Sequence, residues 1–65
     1  MDKEELLYEA KTSVYLMRRG EISLEECKVK CKPYIDFVNA KSKELAKKYH
    51  QKPKTITFAY FERTI

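Results

Sequence analysis

Two cysteines, one histidine and ten carboxylates are the residues of this 65-residue chain that could hold a metal or move a proton. Cys27 and Cys31 are four apart in a segment patterned as a helix, so their thiols fall on one face. Helix geometry suits a disulfide between such positions poorly. A zinc site needs about four ligands. His50, the single histidine, lies 19 residues beyond Cys31, and no second cysteine pair exists. The pair therefore reads as two small, reduced, buried apolar residues, with zinc or redox use as the alternative, and no metal or cofactor is expected. Glu4, Glu5, Glu9, Glu25, Glu26 and Glu44 stand at helix starts and on polar faces, where capping and solvation account for them better than acid–base work. Gly20 is the only glycine, so no glycine-rich phosphate loop is present, and no serine sits in a nucleophile elbow. The expectation is a protein that is not an enzyme.

Binding chemistry is concentrated at the other end of the chain. Lys41, Lys43, Lys47, Lys48, Lys52, Lys54 and Arg63 face only Glu44 and Glu62 between residues 41 and 65, a local +5 in a chain of net +4. Tyr49, Phe58, Tyr60 and Phe61 lie in the same stretch. A positive, aromatic-bearing end on a nearly neutral body points to a polyanion or an acidic partner. Lys43, Lys47, His50 and Lys54 follow helical steps and would form one column if the helix reached that far, a column able to track phosphates while an aromatic ring stacks on an unpaired base. The basic set Lys41, Lys43, Lys47, Lys48, Lys52, Lys54 and Arg63 is the candidate nucleic-acid surface; Tyr49, Ile56, Phe58, Tyr60 and Phe61 are the candidate partner surface. An ordinary solvated lysine face beside the edge of a core is the plainer alternative.

Those residues must be positioned by helices. Leu6, Leu7, Ala10, Val14 and Met17 recur at three- and four-residue spacing and predict a helix over 3–19, with Asp2, Glu4 and Glu5 at its start and Arg18 and Arg19 at its end, both matched to the helix dipole. Gly20 follows as a left-handed C-cap. Ser23-Leu24-Glu25-Glu26 fits a capping box, with Ile22 placed to staple onto Cys27. A connection of about three residues makes the two helices antiparallel neighbours. In the second helix Leu24, Cys31, Val38 and Leu45 are seven apart, with Ile35, Ser42 and Tyr49 in the alternate row. Pro33 interrupts it, at a typical cost of about 3 kcal/mol in a helix interior. Either a single helix over 24–50 kinks near residue 32, or a helix over 24–31 stops and a second starts at Pro33; a visible kink or break is favoured. Beyond Lys52-Pro53-Lys54, the run Thr55-Ile56-Thr57-Phe58 alternates like a strand, yet no second strand candidate could pair with it. The other possibility is a short terminal helix capped by Thr57, with Phe58, Phe61 and Ile65 along one side. In either form the apolar side chains of the tail need a surface, their own hairpin or a partner.

Length limits the rest. A domain of about 60 residues buries only about 60% of its unfolded surface, so 52–65 is expected to belong to the same single domain as a hairpin over 1–51. The acidic N-terminus has no leader pattern and no apolar run approaches a membrane span, so no membrane contact and a cytoplasmic location are expected.

The block Arg18-Arg19-Gly20-Glu21-Ile22-Ser23-Leu24-Glu25-Glu26, then Pro33-Tyr34-Ile35-Asp36 and Asn39, then Lys43-Glu44-Leu45-Ala46-Lys47-Lys48-Tyr49 and Lys52-Pro53-Lys54-Thr55-Ile56-Thr57-Phe58, resembles a group of short proteins from phages and integrative elements of Gram-positive bacteria. Within that group it is similar to the small middle proteins of cassette-chromosome replication modules. The resemblance implies an accessory subunit that binds an A-family DNA polymerase and serves primer synthesis; it carries no catalytic motif onto this chain. The turn from Gly20 to Glu26 also resembles that of short helical-hairpin oligomerisation modules, which makes a second copy of the chain another partner to consider. The expected protein is all-α, an antiparallel hairpin or three-helix arrangement with an extended or short helical tail. Its expected role is non-catalytic docking on a larger nucleic-acid enzyme, a DNA polymerase or primase-polymerase, with contact to single-stranded DNA. The alternative is a stand-alone DNA-binding protein or regulator of a mobile element.

Overall fold

The computed structural model describes residues 2–65, which form three helices: α1 (Lys3–Arg18), α2 (Leu24–Lys48) and α3 (Phe58–Thr64). Asp2 caps α1 by accepting from the Glu5 amide at 2.9 Å, and Ser23 caps α2 by accepting from the Glu26 amide at 3.1 Å. Gly20, at φ +78°, ends α1 in a Schellman turn: its own amide reaches Met17 O and the Glu21 amide reaches Leu16 O. The α2 terminus repeats the device without glycine. His50 takes φ +55°, and the Gln51 amide donates to Ala46 O at 2.8 Å. The chain therefore leaves the helix axis after Lys48, and His50 and Lys54 do not continue the lysine column.

Helix α2 is not broken at Pro33; it runs unbroken from Leu24 to Lys48. Burial explains why the break is avoided. Cys27 and Cys31 are fully buried before the proline, and Tyr34 and Ile35 pack on the same cluster after it, so one apolar face spans the site. Pro33 itself and Val29, whose carbonyl loses its helical donor, are exposed, so water can satisfy that oxygen.

The core holds Ala10 and Val14 of α1, Cys27 and Cys31 of α2 and Phe61 of α3, with Leu7, Met17, Ile22, Tyr34, Ile35, Ile56, Phe58 and Ile65 packed around them. The facing residues of α1 and α2 are small, and the one large ring among the buried residues comes from the tail. Phe61 is 5% exposed and lies 5.2 Å from the Tyr34 ring, centroid to centroid. The tail thus completes the chain's own core. Thr57 caps α3 by accepting from the Tyr60 amide at 3.2 Å. Arg18, at the end of α1, reaches across to the last turn of α3, donating to Glu62 O at 2.6 Å and Ile65 O at 3.2 Å. A cation on those terminal carbonyls opposes the negative end of the helix dipole.

Residues 51–57 are extended but form no strand. Side chains of α2 supply the partners that a neighbouring strand would have given. The Asn39 amide pairs with both main-chain groups of Ile56, donating to its carbonyl at 3.0 Å and accepting from its amide at 2.7 Å. One turn on, the Ser42 hydroxyl donates to Lys54 O and accepts from the Lys54 amide at 3.2 Å. Residues two apart on an extended chain turn the same edge outward, and residues three apart on a helix share a face, so the two clamps match.

Two outcomes follow from this packing. Phe61→Ala should lose about 3–5 kcal/mol, enough to unfold a domain this small in a urea titration followed by circular dichroism, whereas Phe61→Leu should retain a cooperative transition; an unchanged midpoint for Phe61→Ala would mean that the tail is not core. Asn39→Leu leaves two part-buried main-chain groups of Ile56 without their partner and should cost about 1 kcal/mol, with faster hydrogen exchange at the Ile56 amide as its specific signature.

Candidate basic site at the end of helix α2

The register of the hairpin decides which part of α2 is free. The Cys31 thiol donates to Ala10 O at 3.6 Å, which sets those two residues at one level. Seven residues separate Ala10 from the start of α1 and 17 separate Cys31 from the end of α2. At 1.5 Å per residue α2 therefore extends beyond α1 by about 15 Å. That overhang carries Lys41, Lys43, Lys47 and Lys48, and the returning segment adds Lys52 and Lys54 beside it, all exposed.

Within this group Lys41 lies 3.9 Å from Glu44 and 5.8 Å from the centre of the Phe37 ring. Among the described residues no carboxylate lies within 4.0 Å of Lys43, Lys47, Lys48, Lys52 or Lys54. Lys48 rests 5.7 Å from the centre of the Tyr49 ring, which is 61% exposed. Cations without counter-charges at one end of the molecule repel one another, and a bound polyanion relieves that repulsion.

The remaining candidates divide. Arg63 sits on α3, whose end is held by Arg18 at the opposite pole of the hairpin, so it does not join the lysines. Among the apolar candidates Phe61 is core, and Ile56 and Phe58 pack against the core, so these three do not present a free partner surface as a set. Tyr60 is half exposed and lines a groove of about 470 Å³ with Leu7, Lys11, Tyr15 and Val38. Tyr49 alone of the five stands with the lysines. Leu45, 56% exposed on the overhang, was not among the sequence candidates; its signal was the heptad row Leu24, Cys31, Val38, Leu45 read against the shorter α1.

The cysteines sit elsewhere, deep in the hairpin. Their sulfurs are 3.9 Å apart, both are free thiols, and burial, helped by the neighbouring Cys27, pushes the Cys31 thiol from 9.0 up to about 12. Among the described residues no group of three or more His, Cys, Asp or Glu is placed to hold a metal ion, and no helix is long and apolar enough to cross a membrane. Protein-family models, curated proteins and solved structures provide no match to this chain, so function must be argued from its own chemistry.

The thiol chemistry has a defined pH dependence. The unfolded chain releases the Cys31 proton near 9.0 and the folded chain only near 12. The stabilisation from keeping that thiol protonated is complete below pH 9.0 and is lost between 9.0 and about 12. Urea midpoints should fall over that alkaline range for the parent protein and fall less for Cys31→Ala. Alkylation by iodoacetamide at pH 8 should be slow in the folded protein and fast in urea.

Proposed function

We propose that this protein is a non-catalytic accessory factor that docks on a larger DNA-replication enzyme and contacts single-stranded nucleic acid through the basic end of α2. The observation that carries the nucleic-acid contact is that Lys43, Lys47, Lys48, Lys52 and Lys54, on the end of α2 and the segment that follows it, have no carboxylate within 4.0 Å among the described residues, with Lys48 beside the exposed ring of Tyr49. Lysines neutralise phosphates and release counterions. An exposed tyrosine offers a face on which a base can stack, typically worth about 1–3 kcal/mol. An unpaired strand suits this arrangement better than a duplex, because Tyr49 needs an open base face and the helix end offers no row of base-reading side chains. The resemblance to accessory proteins of mobile-element replication supports the choice of a polymerase or primase-polymerase as the larger partner.

Fluorescence anisotropy with a short single-stranded oligonucleotide tests the contact. Binding at low salt should weaken as salt rises, with a slope of about −0.7 for each phosphate neutralised. Lys43→Glu with Lys47→Glu should lower affinity at least about tenfold and make the slope shallower. Tyr49→Ala should lower affinity and leave the slope unchanged. No binding even at low salt would refute the nucleic-acid contact.

A further inference from the structure

The apolar row of α2 outlasts the helix that covers it. Cys31 is fully buried and Val38 half-buried, while Leu45, seven residues further, is 56% exposed and Tyr49, one turn beyond, 61% exposed. The tail borders this side through Lys52, Pro53 and Lys54 but leaves Leu45 and Tyr49 uncovered. It lies over the neighbouring side of α2, where Asn39 and Ser42 hold it and Ala46 is buried at 6%. What remains is an open groove of about 610 Å³ lined by Lys41, Glu44, Leu45, Lys47 and Lys48. Lys41 precedes Leu45 by one turn and Lys48 follows it by one, so the apolar centre has cations on both flanks.

We infer that this groove docks an acidic amphipathic helix of a partner protein, lying alongside α2 where α1 has ended. The inference rests on the docking half of the proposed function and is independent of nucleic-acid contact. Three features select this occupant. The free length, about 15 Å, matches roughly ten helical residues, about three turns. Leu45, the exposed member of the seven-residue row on this length, with Tyr49 one turn on, is an apolar position of the kind a neighbouring helix covers with large side chains. Lys41 already has Glu44 at 3.9 Å, but Lys47 and Lys48 have no carboxylate within 4.0 Å among the described residues and call for carboxylates beside that apolar position. A second copy of the chain joined through the same groove would set Lys41, Lys43, Lys47 and Lys48 of each chain against those of the other. Phosphates would use the cations and leave Leu45 uncovered.

The test is a titration of the isotope-labelled full chain, followed by amide chemical shifts, with a synthetic helix of about three heptads carrying two leucines per heptad and glutamates at the flanking positions. Shifts should concentrate at Lys41, Leu45, Lys48 and Tyr49. Leu45→Ser should weaken binding at least about tenfold while circular dichroism and oligonucleotide affinity stay those of the parent, which separates this groove from the nucleic-acid contact. Lys41→Glu with Lys48→Glu should weaken it in a salt-dependent manner. The inference is overturned by absence of binding at millimolar peptide, by equal binding of a peptide with lysines in place of the glutamates, by shifts centred away from Leu45, by an oligonucleotide affinity that depends on Leu45, or by self-association of the chain that Leu45→Ser abolishes.

Discussion

The seam between the two long helices is made of small side chains, and everything else in the fold follows from that. Ala10 and Val14 meet Cys27 and Cys31, all fully buried. Small residues let helices approach closely but remove little apolar area from water, at roughly 25 cal/mol per Å². A hairpin of this kind is marginal by itself. The missing area comes from Phe61, whose ring is nearly as buried as the seam, with Ile56, Phe58 and Ile65 around it. The C-terminal segment is therefore the third wall of the core.

Bringing Phe61 back to the seam forces the chain to return along α2 after Lys48. That return needs a sharp exit and a way to satisfy an extended backbone. The left-handed conformation of His50 provides the exit, at the strain cost that a side chain has in that region. Asn39 and Ser42 satisfy the backbone at Ile56 and Lys54. The return also places Lys52 and Lys54 beside the last turns of α2, so the basic cluster is a consequence of how the core is closed. Arg18 holds the far end of the same segment against α1.

Local signals were legible and the long-range ones were not. Ser23 at the start of α2, Gly20 after α1, Thr57 before α3 and the apolar spacing of both long helices are each written in adjacent residues, and each appears where its spacing predicts it. At Pro33 the sequence left a kinked single helix and a broken one open, and the structure takes the single helix: the apolar face from Cys27 to Ile35 continues across the proline, while the Val29 carbonyl that loses its donor is on an exposed residue. The strand-like run Thr55 to Phe58 was ambiguous because its partners are side chains. Asn39 and Ser42 sit in an unremarkable helix sequence, and nothing in their neighbours announces that they bind a main chain 12 to 17 residues away. The lysine cluster was visible as composition, but its shape was not. Which lysines stand together depends on the turn at His50 and on α1 ending about 15 Å short of α2.

Placing the cations at the end of a helix has an energetic consequence for any activity they serve. Lys47 and Lys48 occupy the last turn of α2, where positive charge stabilises the helix by typically 0.3–1 kcal/mol per charge. That gain partly offsets the mutual repulsion of the cluster in the free protein. An anionic ligand then removes the repulsion but also screens the favourable contact with the helix end, so its binding energy is smaller than phosphate counting alone suggests. Residues nearer the turn, Lys52 and Lys54, carry no such helix role. They should therefore contribute to binding with the least penalty to folding, and the returning segment that closes the core is also the part of the basic surface most free to serve a ligand.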